Sequence, residues 1–156
     1  MDVHVSMLES EVFLPVVLFT RQRHLENESM QNQGAKRVLA VVNDLFFSVK
    51  LTESAKRNGL TLEFVKDGKQ VLEKAEEKPS LIIFDLNFEA VEPLKLIAEL
   101  KARPVTKGIS LIGYLSHVQA DLKQQAQQAG CDMVLARSAF SQNMPVIFKR
   151  HAGSVG

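Results

Sequence analysis

A chain of 156 residues, with 19 lysines and arginines against 18 aspartates and glutamates, has the length of one domain with a sizeable core. Its acids and bases are mixed along the chain, which argues against a nucleic-acid interface and against attachment to a membrane surface. Cys131 is the only cysteine, so no internal disulfide forms and the expected setting is the cytoplasm.

Residues 12–19 form an apolar run that is too short to span a bilayer and contains Pro15. Asp2, Glu9 and Glu11 precede it where a secretory signal would carry basic residues, so no targeting segment is read. Residues 20–34 are polar and read as a linker. Residues 1–34 are therefore taken as an N-terminal extension, 35–151 as the folded domain and 152–156 as a flexible tail.

From Lys36 onward, apolar runs alternate with helical patterns. Residues 38–42 (VLAVV) read as a strand buried on both faces. Residues 44–58 follow as a helix, with Asp44 as N-cap, Phe47, Leu51 and Ala55 on one face, and Gly59 as the stop. A second strand covers 60–65, and the turn Lys66-Asp67-Gly68 leads into a helix over 69–77. Residues 81–84 (LIIF) are a third buried strand that runs into Asp85. Helix 91–102, strand 109–115, helix 118–129 capped by Gly130, strand 133–136 and helix 139–150 complete the chain. Five strand-helix units with continuous apolar strands predict a parallel sheet covered by helices on both faces.

In such sheets the chemistry lies beyond the carboxyl ends of the strands. The residues there are Asn43 and Asp44, the stretch from Asp85 to Glu89, Leu115 and Ser116, and Arg137 and Ser138. Asp85 is the leading candidate, because a carboxylate at the end of a central strand can act as a phosphoryl nucleophile or a metal ligand. Asp is also favoured as a turn cap, which would be a purely structural role.

The run SLIIFDLN (80–87), the KDG turn and the stretch 124–140 (QQAQQAGCDMVLARSAF), with the strand-helix spacing, resemble the receiver domains of bacterial response regulators. The resemblance covers residues 36 to about 150. It implies a flavodoxin-like three-layer α/β/α sandwich with a five-stranded parallel sheet in the order 2-1-3-4-5. It also implies that Asp85 matches the phosphoacceptor and Asn87 the residue whose backbone carbonyl ligates magnesium. Gly130 and Asp132 fit the stretch before the fifth strand.

Other matched positions depart from the family pattern. The family's acidic pair falls on Val42 and Asn43 in the ungapped register, or on Asn43 and Asp44 after a slip of one residue. Counting back from Gly59 favours the ungapped register. Asn43, Asp44, Asp85 and Asn87 are thus a weak candidate set for magnesium, which wants carboxylate oxygens. The family's hydroxyl after the fourth strand becomes Leu115, with Ser116 next to it. Its lysine after the fifth strand becomes Arg137, a planar fork in place of a compact ammonium. Its prolines become Glu89 and Ser138.

These departures point to a pseudo-receiver: a signalling domain related to two-component phosphorelays that works through protein contacts. The alternative is a single-domain response regulator phosphorylated on Asp85 by a histidine kinase. If the site is inactive, a salt bridge between Asp85 and Arg137 is expected to hold the strand ends together. The partner is then a histidine kinase or another signalling protein, with a homodimer through the fourth helix, fifth strand and fifth helix as a further expectation. The fourth helix carries Gln119, Gln124, Gln125, Gln127 and Gln128, a polar uncharged face.

Competing chemistries lack their residues. The loop after the first strand, Asn43-Asp44-Leu45-Phe46-Phe47, is not the Ser/Thr/Gly-rich phosphate cradle of a flavin site. Neither G-x-G-x-x-G nor G-x-S-x-G occurs. The histidines, His4, His24, His117 and His151, have no metal-ligand spacing. His117 reads as a surface-loop residue and Cys131 as a small buried hydrophobe. No enzymatic activity is expected, and only about six residues follow the last helix, so an output domain is not visible.

Overall fold

The computed structural model describes residues 36–117 and 119–152. The expectations for residues 1–34, and for the tail beyond Ala152, lie outside the described residues. The elements are β1 (Arg37–Val41), α1 (Leu45–Arg57), β2 (Thr61–Phe64), α2 (Gly68–Ala75), β3 (Leu81–Asp85), a 3-10 turn (Glu89–Val91), α3 (Pro93–Ala102), β4 (Ser110–Leu115), α4 (Ala120–Ala129), β5 (Met133–Ala136) and α5 (Arg137–His151). The five strands form one parallel sheet in the order β2-β1-β3-β4-β5. The expected fold and strand order are present.

Strand alternation builds two separate cores. Val38, Ala40, Val42, Leu81 and Ile83 face one way, and α1 and α5 cover them with Phe47, Leu51, Phe140 and Phe148. Leu39, Val41, Ile82 and Phe84 face the other way, under Val71 of α2, Ile97 and Leu100 of α3 and Ala126 of α4. Period-two geometry explains why runs such as VLAVV carry no polar residue: both faces are dry. Each such side chain contributes about 1.5–3 kcal/mol by leaving water. Gly113 in β4 lies under Leu86, whose side chain would come within 2.8 Å of a Cβ there. Gly130 ends α4 at a φ of 113°, as its C-cap reading required.

Three helix boundaries differ from those expected. The helix expected over 91–102 divides into the 3-10 turn and α3, which starts at Pro93, a residue suited to a helix's first turn because it lacks the N–H that would go unsatisfied there. The helix expected from 118 starts at Ala120. The last helix begins earlier, at Arg137, directly after β5. It also continues through Pro145, because Met144, Ile147 and Phe148 are anchored in the core on either side of it. Burial of those side chains offsets the roughly 3 kcal/mol that an internal proline costs. Among the described residues, no helix is long and apolar enough to cross a membrane.

Candidate functional site

β1 and β3 run side by side with Val41 level with Phe84. One residue further, Val42 is level with Asp85, and Val42 is fully buried under α1 and α5. The position beside Asp85 in the sheet is therefore apolar. Asn43 is exposed in the short loop that follows. Asp44 sits at the N-cap of α1, where its Oδ1 accepts from the Phe47 N–H at 3.0 Å.

Arg137 occupies the first turn of α5. Its guanidinium reaches Asp44 Oδ2 at 2.6 Å and lies 5.1 Å over the Phe47 ring. The salt bridge expected between Asp85 and Arg137 is thus replaced by one between Asp44 and Arg137. The reason is placement: Asp44 already faces α5 from the helix cap, while Asp85 ends β3 and turns its carboxylate to its own loop. Asp85 Oδ1 accepts from the Asn87 N–H at 2.9 Å, an Asx turn of the kind that favours Asp at strand ends.

Asn87 is held on three sides. Its Oδ1 accepts from the Ser116 N–H at 2.9 Å and from the Ser116 hydroxyl at 3.1 Å. Its Nδ2 donates to Gln119 Oε1 at 2.8 Å. Its backbone carbonyl, the group that the resemblance assigns to magnesium, accepts from the Glu89 N–H at 3.0 Å. This clamp ties the loop after β3 to the loop after β4. Ser116 and His117 are exposed, and the Ser116 hydroxyl also contacts His117 Nδ1 at 3.2 Å. Leu115 is buried in the core on the far side of the sheet from Asp85.

The residue that faces Asp85 from β4 is Tyr114, its cross-strand partner. It is buried between Phe47, at 4.6 Å, and Phe140, at 5.7 Å. Its hydroxyl makes no hydrogen bond of normal geometry among the described residues, yet lies near enough to Asp85 to lower that carboxyl. Burial, with Asp85 and Asp44 nearby, pushes the phenol's own pKa up. Sequence reading passed over Tyr114, although it alternates with Leu115. The missing information was the β3–β4 register.

Burial is the largest influence on Asp85 and raises its pKa; the Asn87 N–H opposes this, and the Asp44 charge adds to it. Cys131 is buried and its thiol is pushed up to about 11, in keeping with a core residue rather than a nucleophile.

Two of the candidate magnesium donors are already engaged within the fold. Asp44 is committed to a helix cap and an arginine, and both the side chain and the carbonyl of Asn87 are already accepting bonds. Among the described residues, no three His, Cys, Asp or Glu side chains gather closely enough to hold a metal.

No family model matches the sequence, and no curated protein matches it. Solved structures do share the fold. A response regulator from Hahella chejuensis superposes with a TM-score of 0.69 at 21% identity, over 78% of this chain and 98% of that one. The manganese-bound response regulator Rcp1 gives 0.66 at 18%, over 78% and 97%. The receiver domain of a sensor histidine kinase from Pseudomonas aeruginosa, with magnesium in its active-site cleft, gives 0.65 at 19%, over 76% and 98%.

Proposed function

We propose that this chain, which has the fold of response-regulator receiver domains, is a pseudo-receiver: a signalling domain whose Asp85 site is held shut and which acts through protein contacts. The observation that carries this reading is the Asp44–Arg137 ion pair at 2.6 Å. Phosphoryl transfer needs cations to offset charge on the phosphoryl oxygens. Here the arginine at the site is engaged by Asp44, that acid is consumed in holding it, and Leu115 supplies no hydroxyl. With Asp44 engaged by Arg137 and Asn43 offering no carboxylate, magnesium binding stays weak. The role is signalling rather than catalysis, in keeping with a cytoplasmic setting.

The partner is a protein, a histidine kinase or another signalling component. Leu45, Phe46 and Val49 at the start of α1 are 79, 83 and 54% exposed, beside the site. An apolar patch of this kind favours a protein partner. A homodimer through α4, β5 and α5 is the competing surface, with β5 at the sheet edge and Val146 exposed on α5. Light scattering of the Phe46→Ser and Val146→Glu variants separates the two, since only the second substitution would disturb that dimer.

A working receiver is the second reading. It is favoured by one feature: Asp85 keeps Oδ2 free of hydrogen bonds among the described residues at the carboxyl end of β3. Incubation with acetyl phosphate and magnesium, followed by intact-mass measurement, decides between them. The pseudo-receiver reading expects no stoichiometric gain on Asp85, and a stoichiometric gain sinks it.

A further inference from the structure

At the amino end of the sheet, opposite Asp85, four separate segments bring cations to one hollow of about 520 Å³. Lys36 precedes β1, Lys78 lies in the turn between α2 and β3, Lys107 lies between α3 and β4, and Arg150 and His151 end α5. Among the described residues, no carboxylate lines the hollow. For a chain of net charge +1, this is a local concentration of one sign.

Several acids at this end are already paired. Glu63 holds Arg37 at 2.8 Å and also pairs with Lys74, while Glu77 pairs with Arg37. Asp132 holds Lys101 at 2.9 Å. Lys36, Lys78, Lys107 and Arg150 have no carboxylate partner among the described residues. The negative end of a helix dipole accounts for cations in a last turn, and so for Arg150 and His151. It does not account for Lys36 and Lys107, which lie away from any helix's last turn.

Lys78 adds an independent observation. Its backbone sits in the left-handed region, at a φ of 58°, where glycine or asparagine is the usual choice. The fold keeps a lysine there despite the strain. The hollow also has an apolar side, formed by Pro79, Pro104, Val105 and Ile109. Its volume suits one small ligand.

We infer that this hollow binds a small organic anion of mononucleotide size that carries two or more phosphates. The phosphates lie among Lys36, Lys78, Lys107 and Arg150, and the body of the ligand rests on the proline-valine side. The binding is independent of Asp85 and of its phosphorylation.

The test is a titration of the full chain with ADP, followed by amide NMR and run alongside sodium pyrophosphate and a short DNA duplex. The expected result is saturable shifts at Lys78, Ser80, Lys107, Gly108 and His151, with a Kd below about 1 mM for ADP. Pyrophosphate binds more weakly, and all binding weakens as salt is raised. Lys78→Gly relieves the backbone strain, so its melting temperature is unchanged or higher while ADP affinity falls at least about fivefold, the loss of one close charge contact. Four results would overturn the assignment: no saturable shift, shifts centred on Asp85 and Ser116, undiminished binding by Lys78→Gly, or tighter binding of duplex DNA than of ADP. Pyrophosphate binding as tight as ADP would remove the role of the apolar side and with it the organic ligand.

Discussion

At the carboxyl end of the sheet, Arg137 is engaged by Asp44, and Asp44 in turn caps α1, so charge there is neutralised within the fold. At the amino end, Arg37 and Lys74 take up the nearby glutamates and leave Lys36, Lys78, Lys107 and Arg150 facing a hollow. At the end where this fold class ordinarily does its chemistry, the arginine is thus paired within the fold, and the opposite end gathers cations that have no carboxylate partner among the described residues. Position in a fold class says where a site is possible; the pairing of side chains says whether it is available.

The largest expected effect comes from the aromatic stack that supports the closed end. Phe47 packs on Tyr114 at 4.6 Å and on Phe140 at 5.6 Å, and also lies under Arg137. Phe47→Ala is expected to cost about 3–5 kcal/mol in denaturant unfolding. A loss below about 1 kcal/mol would show that the stack does not hold this end together.

Next in size is Asp44→Ala, which removes a helix cap and the partner of Arg137 together. About 1–2 kcal/mol of destabilisation is expected. If the ion pair is what closes the site, the same variant frees Arg137 and raises acetyl phosphate labelling of Asp85 above wild type. Unchanged labelling would mean that the ion pair does not control the reactivity of Asp85.

The two ends also differ in the sign of their pH dependence. Asp85 has a raised pKa, caused first by burial, so its contribution to stability is fully present below the ordinary aspartate value and is lost as pH rises through the raised one. Asp85→Asn is therefore expected to raise the melting temperature at neutral pH, with the gain vanishing below about pH 3.9. A lower melting temperature at neutral pH would show instead that the charged carboxylate is stabilising.

Glu63 at the other end behaves in the opposite way. Lys74 first, and Arg37 after it, hold its carboxyl below the usual range. Its contribution is present above the ordinary glutamate value and is lost as pH falls through the lowered one. Glu63→Gln should cost at most about 1 kcal/mol at neutral pH, since the group is a third exposed. The smallest effect belongs to Phe46→Ser, expected within about 0.5 kcal/mol of wild type because the ring is in water. A partner that binds wild type but not this variant would place the contact face on α1.

Much of the framework was legible from the chain alone. Continuous apolar runs at 38–42 and 81–84 specify strands buried on two faces, and Asp85 falls at a strand end because the run stops there. Gly130 marks a helix end through its freedom at positive φ. Asp44 was legible as a helix cap. What it would pair with was not, since Arg137 lies 93 positions away and reaches it only after β5 and α5 are laid against α1. Arg137 was legible as the residue that follows the fifth strand, but its expected partner, Asp85, is replaced by Asp44 for the same reason.

The sequence by itself determined the alternation of strands and helices and the strand end that carries Asp85. These follow from local composition and from the two periodicities of backbone geometry. Tertiary structure alone decided that Tyr114 faces Asp85, that Asn87 joins two loops and that four distant cations share one hollow. Each of these depends on strand register and on which loops meet at a sheet end. Such relations are set by the packing of the whole domain, and no short stretch of chain encodes them.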